Sequence, residues 1–123
     1  MITGVVTAQR EAVLLLAVQG PGGQEQEVEV VIDTGFTGFL TLPRSLIAAL
    51  ALTFHSDTVA TLGDGSKVAL PVYAATTIWN GQQRDVWVLA AEGGSLLGMA
   101  LLDGFRIVLD VIDGGSVTIE ALP

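Results

Sequence analysis

Short runs of β-forming residues recur along this 123-residue chain, with turn signals between them. The clearest turn is at residues 80–81, an Asn-Gly pair that suits a type I′ hairpin because both central residues need positive φ. Glycine-rich segments at 20–23 and 63–66 mark two further hairpins. Only residues 44–52 and 99–103 are predicted to be helical. This pattern predicts a closed or sandwiched antiparallel β protein.

The turn signals divide the chain into strands that pair with their neighbours. The first hairpin joins residues 12–19 to 25–33, whose alternating pattern buries one face. Trp79 and Trp87 flank the Asn-Gly turn, and we expect them to pack as a pair across that hairpin. The other predicted strands are residues 39–42, 58–62, 67–73, 72–79, 83–89, 105–111 and 117–121.

The composition is that of a folded domain. Half of the residues are hydrophobic and 15% are charged, so the chain can bury a core, and we expect residues 1–123 to form a single domain. Thirteen acidic residues against five basic ones give a net charge of -8. This charge repels a polyanion, so we expect no nucleic-acid partner.

Several other classes of protein are disfavoured by what the sequence lacks. No uncharged apolar run approaches the roughly 20 residues that span a bilayer, so we expect no membrane association. The first residues contain no basic segment followed by an apolar one, which favours a cytoplasmic location. The absence of cysteine and the single histidine, His55, exclude a disulfide scaffold, a thiolate nucleophile and a multi-histidine metal site within one chain.

Asp33-Thr34-Gly35 is the strongest candidate for chemistry. It follows the apolar run Val30-Val31-Ile32 and precedes Phe36, so a carboxylate lies on a tight loop directly after a buried strand. Such an aspartate usually caps a turn, and the bare tripeptide carries little weight. Its weight comes from the glycine-tipped hairpin at 63–66 and from the segment 96–98, Leu-Leu-Gly, which follow it in the chain.

In this order these features resemble the retropepsin-like family of aspartic proteases, in particular its small bacterial members, whose signature loop reads Asp-Thr-Gly-Phe. The resemblance covers roughly residues 3–120. It implies an all-β fold, namely a closed antiparallel β-barrel with one or two short helices. It also implies an aspartic endopeptidase that acts as a homodimer on a peptide or protein substrate, without a metal or another cofactor.

The resemblance assigns expected roles to particular residues. Asp33 resembles the catalytic aspartate, and Thr34 and Gly35 resemble the loop residues that hold two such aspartates across a dimer axis. The hairpin tip resembles a flap that closes over an extended peptide. The residues implied in the flap are Leu62, Gly63, Asp64, Gly65 and Ser66, and those implied beneath the catalytic loop are Leu96, Leu97 and Gly98.

The chain carries only one Asp-Thr-Gly. Amide hydrolysis by this route needs one carboxylate to take a proton from water and a second, protonated one to donate to the carbonyl oxygen. The second aspartate must therefore come from another copy of the chain, and a two-fold dimer would place both Asp33 side chains on its axis.

The sequence departs from familiar relatives at the loop. Phe36 stands where pepsin-like enzymes carry a hydroxyl residue that supports the carboxylate, so we expect a less acidic working pH than that of pepsin. Retroviral members pair an arginine with an aspartate where this chain has Met99 and Thr37. We therefore expect apolar contacts and terminal strands to hold the dimer.

Two other readings of the sequence stay open. The first is a non-catalytic peptide-binding or assembly module that keeps this fold, and the second is a monomeric structural domain in which Asp33 caps a turn. Asp64 between two glycines is typical of turn chemistry, and His55 is expected at the surface or at a strand end. The aspartates in the C-terminal part do not match a calcium loop and are expected in turn or surface roles; they are Asp103, Asp110 and Asp113.

Overall fold

The computed structural model describes residues 1–123. It contains ten strands and two short helices, which confirms the prediction of a mainly β chain. No helix is long and apolar enough to cross a membrane. The strands are β1 (Ile2–Val6), β2 (Ala12–Gln19), β3 (Glu25–Ile32), β4 (Leu40–Leu42), β5 (Thr53–Thr61), β6 (Lys67–Trp79), β7 (Gln82–Ala90), β8 (Leu96–Leu97), β9 (Phe105–Leu109) and β10 (Ser116–Ala121), and the helices are α1 (Arg44–Ala49) and α2 (Met99–Leu102).

All ten strands belong to one sheet, in the order β5-β6-β7-β4-β8-β3-β2-β1-β10-β9. A further pairing between β2 and β6 joins Val18 to Thr77 and closes the strands from β6 to β2 into a ring. The predicted closed β structure is therefore present. Most neighbours are antiparallel, but β3 runs parallel to β8 and β4 runs parallel to β7.

The hairpin turns behave as their residue types require. Asn80 and Gly81 have φ values of 52° and 79°, as a type I′ turn demands. The predicted strands 67–73 and 72–79 are one continuous strand, β6, which pairs with both β5 and β7. Helix α1 ends at Ala49, earlier than predicted, because Ala51 adopts a φ of 51° that a helix cannot continue through.

The core lies inside the ring and is made of the alternate residues that each strand turns inward. Val18, Val30, Leu40 and Leu97 have no exposed surface, and burying such a side chain contributes about 1.5–3 kcal/mol. Thr77 is also fully buried, and its hydroxyl donates a 2.7 Å hydrogen bond to the carbonyl oxygen of Ala17. This bond satisfies the hydroxyl at the point where the ring closes.

The expected tryptophan pair is wrong. The two-residue turn places Trp79 opposite Gln82 and Trp87 opposite Ala74, so the two rings lie on opposite faces of the hairpin, far along it from each other. Trp79 is buried against Phe105, with ring centroids 5.5 Å apart. Trp87 is 45% exposed on the outer face.

Candidate active site

Asp33 follows β3 directly, and its backbone and side chain shape the loop. Its N–H donates to the carbonyl oxygen of Leu97 at 2.9 Å, and its own carbonyl accepts from the N–H of Phe36 at 3.1 Å. One carboxylate oxygen, Oδ1, accepts from the N–H of Gly35 at 2.9 Å. The side chain is half-buried, so the carboxylate is fixed in direction and still reaches solvent.

The segment 96–100 supports this loop from below. Strand β8 lies between β3 and β4, where Leu96 pairs with Val31 and Leu97 pairs with Leu40. The chain then continues along the loop, because the N–H groups of residues 98, 99 and 100 donate to the carbonyl oxygens of residues 39, 36 and 38 at 2.9, 2.8 and 3.1 Å. Both ends of the Asp33 loop are therefore bonded to one continuous stretch of backbone.

Gly98 is required by this close approach. A β-carbon there would lie 2.5 Å from Cδ2 of Phe36 and 2.8 Å from its carbonyl oxygen, and nearer still to the carbonyl oxygen of Gly38. The Phe36 ring also covers Gly38, whose own β-carbon would lie 2.7 Å from ring atoms. The Phe36 ring thus packs over two glycines.

A cleft of about 740 Å³ separates the loop from the hairpin of β5 and β6. Its floor includes residues 35–39, and its opposite wall is residues 55–61 of β5. Val72, Trp87 and Leu89 close the side with mainly apolar surface. Asp33 does not line the cleft itself; it lies two positions before Gly35, the first residue of the lining.

The tip of the β5–β6 hairpin is a compact turn. The N–H of Leu62 donates to the carbonyl oxygen of Ser66 at 2.8 Å, and Gly65 takes a φ of 86°. The N–H and the hydroxyl of Ser66 both donate to Oδ1 of Asp64, at 2.8 and 2.6 Å. Both bonds lower the pKa of Asp64, and the bond from the Ser66 hydroxyl has the larger effect. Asp64 therefore serves the turn itself, as its position between two glycines indicates.

Two solved structures are similar to this chain in fold, whereas no family model and no curated protein matches the sequence. A retropepsin-like aspartic protease from Rickettsia conorii has a TM-score of 0.59 at 14% identity, with 99% of this chain and 91% of that chain covered. The EIAV protease, solved with an inhibitor, has a TM-score of 0.58 at 17% identity, with 77% of this chain and 88% of that chain covered. This chain has the retropepsin-like fold.

The retropepsin-like fold confirms the resemblance that the Asp-Thr-Gly loop and the later segments indicated. The structure brings the loop at Asp33 together with the segment 96–98 through direct hydrogen bonds. It places the hairpin tip at 62–66 at the end of β5 and β6, where every residue is exposed. The catalytic, supporting and flap roles of these residues stay predictions.

Within the retropepsin-like fold, the cleft contains residues that the sequence did not suggest. His55 is exposed, as expected, but it lies in the wall of the cleft and its ring centroid is 4.4 Å from that of Trp87. It occupies an irregular position in β5, between the pairs made by Phe54 and Ser56. The turn at residues 80–81 is enough to predict that Trp87 lies opposite Ala74. No local sequence signal indicates that β5 brings His55 beside Trp87.

The titratable residues form no metal centre. No group of three or more histidine, aspartate or glutamate side chains lies close enough together to hold an ion. His55 directs Nδ1 to the hydroxyl of Ser56 at 2.9 Å.

Proposed function

We propose that this chain is the subunit of a homodimeric aspartic endopeptidase. The observation that carries the proposal is the position of Asp33, on a loop bonded to residues 97–100 and next in the chain to a cleft that strand β5 also lines, in a retropepsin-like fold. The carboxylate itself accepts only from the N–H of Gly35, but the backbone of its loop is bonded to a distant segment, which a turn cap does not require. Such support is useful where a reacting group must be held in one orientation.

The reaction would use two Asp33 carboxylates and one water molecule. One carboxylate takes a proton from the water as it attacks the peptide carbonyl, and the other, protonated, donates to the carbonyl oxygen. Two negative charges about 3 Å apart repel by roughly 5 kcal/mol at an effective dielectric constant near 20. A pair that shares one proton is therefore favoured, which is the established arrangement of aspartic proteases.

The lining of the cleft supports a peptide as the substrate. An extended peptide can add to exposed strand edges through main-chain hydrogen bonds, and its side chains then enter pockets on alternate sides. Phe36, Phe39, Val72 and Leu89 offer apolar contacts for such side chains, while His55 and Asp57 are the only ionisable residues in the lining. We therefore propose a preference for substrates with apolar side chains around the cleaved bond.

The direct test replaces the carboxylate. Asp33→Asn should abolish cleavage of a library of unstructured peptides while leaving the fold and the binding of a statine-type transition-state mimic in place. Asp103→Asn is the matched control, because Asp103 is exposed and lies outside the cleft. Equal cleavage by Asp33→Asn and the unmodified protein would refute the assignment. Peptide binding without any cleavage by the unmodified protein would instead identify the non-catalytic binding module.

A further inference from the structure

The turn between β9 and β10 lies at the same end of the sheet as Asp33. Pairs run across four strands from Val31 in β3 to Val13 in β2, then to Val5 in β1 and Ser116 in β10. Asp33 lies just beyond this row on β3. Because these neighbouring strands are antiparallel, the turn formed by residues 110–115, which joins β9 to β10, lies just beyond the same row and at the same end of the sheet.

This turn exposes apolar side chains where polar ones would be expected. Val111 is 63% exposed and Ile112 is 69% exposed, and they follow Leu109, which is 40% exposed. Two aspartates flank them: the carboxylate of Asp110 accepts a 2.9 Å hydrogen bond from the hydroxyl of Ser116, and Asp113 is exposed. A single exposed apolar residue is common on protein surfaces, whereas contiguous exposed apolar surface often marks a contact site.

The turn is also held firmly. The N–H of Gly114 donates to the carbonyl oxygen of Val6 at 2.9 Å, and the N–H of Val6 donates to that of Gly115 at 2.8 Å. Within the turn, the N–H of Gly115 donates to the carbonyl oxygen of Ile112 at 2.8 Å. Backbone hydrogen bonds therefore already order the turn that carries Val111 and Ile112, so little of its conformational entropy would be lost on binding a partner.

We propose that Val111 and Ile112 contact a second copy of this chain. The inference rests on the proposed function, because a reaction that needs two Asp33 side chains requires the partner to approach this end of the sheet. Each copy carries a net charge of -8, so electrostatic repulsion opposes the association of two copies. Uncharged, apolar contacts are therefore the ones that suit the interface. We name Val111 and Ile112 the apolar tip.

The test measures dimer dissociation by sedimentation. Ile112→Ser should raise the dissociation constant of the dimer at least about tenfold, and Val111→Ser with Ile112→Ser at least about 100-fold, because each side chain is lost from both copies. Leu15→Ser is the matched control, since Leu15 is 63% exposed on β2 but pairs with Glu29, four residues before Asp33. The dimer of the Leu15→Ser variant should have the same dissociation constant as the dimer of the unmodified protein. Circular dichroism checks that each variant is folded.

The outcomes separate this inference from the proposed function. A folded double variant that dimerises as tightly as the unmodified protein would overturn the apolar tip and leave the protease proposal standing. Loss of the dimer in the tip variants alone would support the tip whether or not cleavage is found. If the dimer is catalytic, the activity of Ile112→Ser should recover as its concentration is raised. An unmodified protein that stays monomeric at high concentration would overturn both proposals.

Discussion

Gly98→Ala places a methyl group in the narrow space between the Asp33 loop and the segment that supports it. The new carbon would meet Cδ2 of Phe36 at 2.5 Å and the Phe36 carbonyl oxygen at 2.8 Å, and it would press closest on the carbonyl oxygen of Gly38. A side chain can rotate, but these carbonyl groups belong to a bonded loop. Gly98 has a φ of -104°, which any residue adopts, so the cost arises from contact alone.

The magnitude follows from two contributions. Overpacking a tight site costs about 1–3 kcal/mol, and moving the loop weakens hydrogen bonds at residues 98–100 that contribute about 0.5–1.5 kcal/mol each. We expect Gly98→Ala to lower the free energy of unfolding by about 2–4 kcal/mol, measured by urea denaturation. If the proposed function is correct, peptide cleavage should also fall, because the loop that orients Asp33 moves.

The matched control is Gly63→Ala. A β-carbon at Gly63 would meet nothing within 4 Å, and its backbone conformation suits alanine, so its unfolding free energy should change by less than about 0.5 kcal/mol. A Gly98→Ala variant as stable as this control would refute the argument that the contact beneath the loop is too close for a side chain.

Two further perturbations follow from hydrogen bonds in the sheet and in the hairpin tip. Thr77→Val keeps the approximate shape of a buried side chain but removes the hydrogen bond to the carbonyl oxygen of Ala17. We expect the free energy of unfolding, measured with urea, to fall by about 1 kcal/mol. An unchanged free energy would show that the bond contributes nothing to ring closure. Hydrogen bonds from Ser66 lower the pKa of Asp64 in the hairpin at residues 62–66. The stabilisation that these bonds give the hairpin is therefore complete above the usual aspartate pKa and is lost as the pH falls through the lowered pKa. Ser66→Ala should raise the pKa of Asp64 toward its usual value in a carboxyl NMR titration, and an unmoved titration would contradict the role given to the hydroxyl.

Much of the fold could be predicted because its signals are local. The Asn-Gly turn at residues 80–81 determines its own hairpin, and an aspartate followed by glycine after an apolar strand marks a tight loop wherever the strand lies. The segment 96–98 could be connected to Asp33 only through the family resemblance. Strand β8 contains two residues, and its conformation depends on the neighbours β3 and β4 between which it lies.

The features that were missed depend on contacts between distant segments. The closure of the ring needs Thr77 beside Ala17, and neither residue carries a signal for this pairing. The tryptophan prediction was wrong because the register leaves Trp79 next to the turn and places Trp87 further along β7, on the opposite face, which receives His55. The need for glycine at position 98 likewise becomes visible only when Phe36 is packed above it.

The most direct measurement is the distance between the two Asp33 carboxylates in a crystal structure of the protein bound to a statine-type mimic. If two copies form one active site, carboxylate oxygens from the two chains should lie about 2.5–3.0 Å apart, within hydrogen-bonding distance. Carboxylates that remain well separated in every assembly would contradict the proposed protease.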